Sequence, residues 1–126
     1  MIEPRWQMST KTGPVSKHAE TITLPLPVEA AVEACQEALR AGNWKITNTD
    51  GRNFLVKESF GLVSTLLSYP TRAAVLVRDQ SDNETRIELH GSIFGFGPLQ
   101  SRRVRAAIAR LRADIERAAA AVTADA

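Results

Sequence analysis

The chain has 126 residues, of which 44% are hydrophobic, 24% charged and 6% aromatic, with a net charge of +2. That is the size of one ordinary domain, large enough to bury roughly two-thirds of its unfolded surface without a disulfide or metal staple. A single cysteine, Cys35, excludes an internal disulfide and favours a reducing compartment, and no apolar run approaches the ~20 residues of a membrane span.

Residues 1–17 read as a polar tail without the apolar centre of a secretory signal. The expectation is therefore a cytoplasmic protein whose single α+β domain spans residues 18–122, followed by a frayed end over 123–126. His18–Leu24 alternates, with Ile22 and Leu24 on one side and Thr21 and Thr23 on the other, as in a half-buried strand. Pro25 ends it and Pro27 suits the first position of a helix. Val28, Val32, Cys35 and Leu39 recur at helical spacing as an apolar stripe. Glu29, Glu33 and Glu37 form an acidic outer row, and Gly42 is the expected stop.

Trp44–Asn48 and Asn53–Phe60 read as strands joined across Asp50-Gly51, a pair suited to a tight hairpin because both positions tolerate positive φ. Ala73–Asp79 and Thr85–Phe94 read as a second hairpin around Gln80–Asn83. Val75, Val77, Ile87, Leu89 and Ile93 mark its buried face. On the opposite face alternation places Leu55, Leu76 and Phe94 among charged residues, which predicts a covered outer face. Gly97-Pro98 opens a long C-terminal helix with an inner stripe of Val104, Ile108, Leu111, Ile115, Ala118 and Val122.

The order is thus β-α-β-β-β-β-α, one antiparallel sheet packed on a short helix and a long C-terminal helix. It resembles the TATA-binding-protein-like and helix-grip (START-like) group of folds, in which a sheet wraps around the last helix. The resemblance covers residues 18–122 and rests on element order. It implies that an apolar ligand is held between sheet and long helix, with the fewer strands here leaving less room than in larger relatives. The DNA-binding members use two tandem copies and phenylalanine wedges, whereas this chain has one copy.

Four features carry the chemistry. Phe60, Leu62, Val63, Leu66, Leu67 and Tyr69 lie where a polar loop is expected between two strands. An apolar connection on the surface marks a partner, ligand or membrane site. Together with Phe94 and Phe96 they make the predicted working surface of a non-enzymatic binding domain. That domain is expected to be homo-oligomeric, as a dimer, and to take a hydrophobic small molecule or lipid. The turn Gly91–Pro98 carries Gly95 and Gly97 into a helix start, with Arg102 and Arg103 one turn along as anion-binding candidates. It matches neither a dinucleotide fingerprint nor a P-loop.

The C-terminal helix concentrates the charge. Residues 1–99 hold ten basic and eleven acidic side chains, while residues 100–126 hold six arginines against three acids. Arg102, Arg103, Arg105, Arg110, Arg112 and Arg117 offer an alternative function, binding nucleic acid or another acidic partner. No aromatic residues are interleaved for base stacking, and Arg110, Arg117 and Arg112 have Asp114 and Glu116 at pairing distances along the helix. A second alternative is an enzyme using Glu88 and His90 on one strand face, with Lys57 or Arg78 nearby. A solvated face with cross-strand charge pairing accounts for the same residues. Cys35 falls on an apolar stripe and reads as a buried hydrophobe. Two separated histidines and one cysteine give no metal-ligand spacing, so no cofactor is expected.

Overall fold

A computed structural model describes residues 15–59, 70–95 and 97–125. Strand β1 (Val15–Leu24) is followed by helix α1 (Val28–Ala41), strands β2 (Trp44–Thr49), β3 (Phe54–Glu58), β4 (Arg72–Ser81) and β5 (Glu84–Phe94), and helix α2 (Pro98–Asp125). The five strands form one antiparallel sheet in the order β1-β5-β4-β3-β2. The first strand thus joins the last, and both helices pack on one face, called inner below.

Alternation decides which residues reach that face. Ile22, Leu24, Phe54, Val56, Val75, Val77, Ile87, Leu89 and Ile93 are all buried there. Helix α2 answers with Val104, Ala107, Ile108, Leu111, Ile115 and Ala119, each buried. On α1 the buried row is Ala31, Ala34, Cys35, Ala38 and Leu39, while Val28 and Val32 pack only partly against the core. The stripe is therefore rotated from the one expected. Alanines take its centre because the two helices run close together, and valines flank it.

The start and stop of α1 follow from backbone chemistry. Pro27 has no N–H to lose and its carbonyl accepts from Ala31 N–H at 2.9 Å. Gly42 is the stop, as expected, but without a positive φ. Gly42 keeps a negative φ of −88°, and Asn43 takes the left-handed conformation at φ 60°. Gly42 is needed for space instead, since a Cβ would stand 3.0 Å from the Trp44 ring and 3.2 Å from Asp114 Oδ2. The chain can turn there because α2 lies directly against it.

β1 begins at Val15, ahead of the expected boundary, because Val15 and Ser16 pair with Phe94 and Ile93. The β2–β3 connection is also longer than a two-residue Asp-Gly hairpin. Thr49 pairs with Phe54, and only Gly51 has positive φ, at 91°. The Asp50 carboxylate closes this loop by accepting from the N–H groups of Arg52 (3.0 Å) and Asn53 (2.8 Å). These bonds, that from Asn53 first, hold its pKa below the ordinary carboxylate value. A β-bulge between Ile46 and Asn48 bends β2, where the Thr47 hydroxyl donates to Leu55 O.

Candidate functional site

Helix α2 crosses the sheet over Gly91. A Cβ on Gly91 would lie 2.6 Å from Ile108 Cγ1 and 3.0 Å from Val104 Cγ2, so the helix rests on bare backbone at this point. Only glycine permits that approach. No apolar ligand fits between β5 and α2 at this crossing.

Two arginine arms hold the helix across the sheet. Arg110 Nη2 donates to Glu58 Oε2 on β3 at 2.9 Å, and Arg112 Nη1 to Glu20 Oε1 on β1 at 2.9 Å. Residues two apart on a helix lie about 200° apart, so the arms leave opposite flanks. Glu20 and Glu58 are inward-facing acids on strands either side of the crossing. Arg112 also pairs with Glu116, and Arg117 with Asp114, as spacing along the helix predicts. Arg110 departs from that expectation, turning to the sheet where Asp114 was the expected partner. Arg103 also has an interaction partner. Half of the arginines counted as a phosphate-binding row thus hold the protein's own carboxylates.

The Arg112 arm ends on a pair that sequence reasoning did not anticipate. His18 is part of β1, and its Nε2 lies 2.8 Å from Glu20 Oε2. The hydrogen bond to His18, and after it that to Arg112, holds the Glu20 carboxyl below its ordinary pKa. The same bond to Glu20 raises Arg112. Period-two alternation from Ile22 back to His18 was the available signal.

The Arg110 arm ends beside Thr71. Glu58 and Thr71 face each other across β3 and β4: Glu58 N–H donates to Thr71 O at 2.9 Å, and Thr71 N–H to Glu58 Oε1 at 2.9 Å. Thr71 is fully buried, and its hydroxyl is the one buried side-chain polar atom without a hydrogen-bond partner among the described residues.

The outer face is a charge cluster centred on Glu88. Its carboxylate lies 3.3 Å from Arg86, 3.6 Å from His90 and 3.8 Å from Arg78. The expected covered face is present in part. Leu76, opposite Glu88 in register, is 1% exposed, whereas Leu55 is half-buried and Phe94 is 44% exposed. The leucine in mid-sheet is closed off, while Phe94 at the end of β5 stays exposed.

That end also holds Val15, which pairs with Phe94, and Leu99 on the first turn of α2; they are 38% and 64% exposed. The β3–β4 connection leaves and rejoins the sheet on the same side, since Arg72 pairs with Ser92 and Ser92 with Lys17. Phe60, Leu62, Val63, Leu66, Leu67 and Tyr69 of that connection, and Phe96, lie outside the described residues. The glycine turn has φ of 104° at Gly95 and 110° at Gly97. The Gln100 side chain fills the space over Gly95 and its amide donates to Phe94 O at 2.5 Å. The place expected for an anion thus holds a neutral amide, with Arg102 and Arg103 beyond it on α2.

Elsewhere, an open groove of about 520 Å³ separates α1 from β2, lined by Glu33, Gln36, Glu37, Arg40, Trp44 and Ile46. Three of these six residues are charged, Trp44 is buried and Ile46 is exposed. Burial pushes the Cys35 thiol up to about 12, so it stays protonated and unreactive at neutral pH. No helix among the described residues is long and apolar enough to cross a membrane.

No protein-family model matches the chain, and no curated protein matches it in sequence. Solved structures do. The crystal structure of Ara h 8.0201 is similar with a TM-score of 0.61 at 12% identity, covering 90% of this chain and all (100%) of that one. A protein from Nitrosospira multiformis is similar with a TM-score of 0.51 at 15% identity, covering 79% and 93%. Ara h 8.0201 is Bet v 1-like, and the fold of this chain is accordingly of the helix-grip, START/Bet v 1-like type.

Proposed function

We propose that the protein is a non-enzymatic binding domain that takes a hydrophobic small molecule or lipid at one end of the sheet–helix interface and self-associates through the same region. One observation carries the reading. Val15, Phe94 and Leu99 are exposed large hydrophobics at the end of the sheet where the β3–β4 connection departs. That connection contributes Phe60, Leu62, Val63, Leu66, Leu67 and Tyr69. An apolar group of this kind on a soluble domain marks a contact surface.

The rival readings have less to stand on. Arg110, Arg112 and Arg117 are held by Glu58, Glu20 and Asp114, which weakens a nucleic-acid role for α2. His90 and Glu88 sit on an exposed sheet face at 3.6 Å with two arginines sharing the carboxylate, an ordinary charge cluster.

The test is native mass spectrometry of the wild type and of the Leu66→Asp, Leu67→Asp variant, with circular dichroism to confirm folding. The wild type is expected as a dimer or with a bound small molecule, and the folded variant as a bare monomer. A bare monomeric wild type, or a variant that unfolds because the segment belongs to the core, defeats the proposal.

A further inference from the structure

Two threonines among the described residues are completely buried, and they differ in one respect. Thr85 Oγ1 donates to Leu26 O at 2.8 Å, securing the β1–α1 connection against β5. Thr71 Oγ1 has no partner among the described residues, although both of its backbone groups are satisfied by Glu58. Thr71 continues the inward row of β4, whose other members are Ala73, Val75 and Val77. Valine has the same shape, so packing alone asks for a valine there. A buried hydroxyl without a partner is disfavoured unless something else bonds to it.

Its surroundings define what that would be. The Glu58 carboxylate faces Thr71 across the strands and is itself paired with Arg110 of α2 at 2.9 Å. The two charges cancel, so this corner is dipolar without a net charge. A ligand carboxylate would meet Glu58, and a ligand cation would meet Arg110. A neutral hydroxyl or carbonyl group meets neither penalty, and the threonine hydroxyl can donate to it or accept from it. Ala73, the next inward residue after Thr71, pairs with Gly91, where Val104 and Ile108 rest on bare backbone, so α2 closes on the sheet one inward position beyond Thr71.

We infer that Thr71, flanked by Glu58 and Arg110, is the polar anchor of the ligand site, and that the ligand is an uncharged, mainly apolar molecule with a single hydroxyl or carbonyl group at its leading end. This inference rests on the binding function proposed above and adds the ligand's chemical class. The site selects by polarity at one point and by apolar contact elsewhere, the division of labour usual in small-molecule pockets.

The experiment is a fluorescence titration of purified full-length protein with 2-naphthol and with naphthalene, in wild type, Thr71→Val and Thr71→Ser. The wild type is expected to favour naphthol by roughly tenfold, the worth of one good neutral hydrogen bond in a buried site. Thr71→Val should erase that preference while naphthalene binding and the unfolding midpoint hold or rise, and Thr71→Ser should retain it. Binding of both probes with a preference unchanged in Thr71→Val overturns the anchor and leaves the binding function standing. Failure of both probes to bind the wild type counts against the binding function itself, and the anchor falls with it.

Discussion

Helix α2 meets the sheet in two different ways. At Gly91 it touches backbone, with Ile108 and Val104 closed down on the strand. At Glu58, beside Thr71, it meets the sheet through a guanidinium and a carboxylate. The first contact is apolar and sets how near the helix can lie. The second is polar and sets where it lies across the strands. The difference teaches that a helix gripped by a sheet need not be gripped uniformly: close packing fixes its distance at one point, while an ion pair fixes its place across the strands at another.

The largest effect is expected at the close contact. Gly91→Ala places a methyl group against Ile108 and should lower unfolding stability by about 2 kcal/mol, within the usual range for an overpacked core. Adding Ile108→Val removes one of the atoms in conflict, so the double variant should be more stable than the sum of its parts. Urea unfolding of the four proteins checks this. Additive losses would mean that the two residues do not meet.

A smaller effect separates the two arms. Glu58 is mostly shielded from solvent, and Arg110→Ala leaves its carboxylate with the Thr71 N–H alone, so a loss of about 1 kcal/mol is expected. Arg112→Ala should cost less, because Glu20 is more exposed and keeps the His18 side chain as a partner. If Arg112→Ala proves the more damaging, the edge-strand arm is the main hold on the helix.

The smallest effect is a pH dependence. Glu20 titrates below its ordinary value of 4.5 in the folded protein. Its contribution is therefore complete above the unfolded-chain value and disappears as pH falls through the lower folded one. Glu20→Gln should lower stability at neutral pH, where the carboxylate's contribution is complete, and flatten the acid limb below about pH 4.5 so that the variant and wild type converge there. A superimposable acid limb in the variant would assign that limb to other carboxylates, Asp50 first among them.

Much of this architecture was legible because it depends on periodicity. The alternation of Ile87, Leu89 and Ile93 and the helical spacing of Val104, Ile108, Leu111 and Ile115 place these residues without ambiguity, and element order then suggests the helix-grip arrangement. What periodicity cannot convey is which partner a side chain chooses. Arg110 has Asp114 within reach on its own helix and Glu58 across the sheet, and only the crossing geometry decides for Glu58. Gly42 reads as a helix stop, yet its smallness serves the packing of Trp44 and Asp114 while Asn43 adopts the left-handed turn. Thr71 was invisible as a site residue because one threonine beside a proline carries no pattern. Its meaning appears only when Thr85 supplies the comparison.

The bulge in β2 bears on how large any assembly can become. β2 is one of two outer strands, and a straight outer strand is a template on which another chain can lay its own backbone without limit. Between Ile46 and Asn48 the ladder slips and the strand bends away from the straight edge that a newcomer would need. Strand-by-strand polymerisation is thereby obstructed at this border. The association proposed for the apolar end of the sheet would, as a self-complementary patch, close as a two-fold dimer.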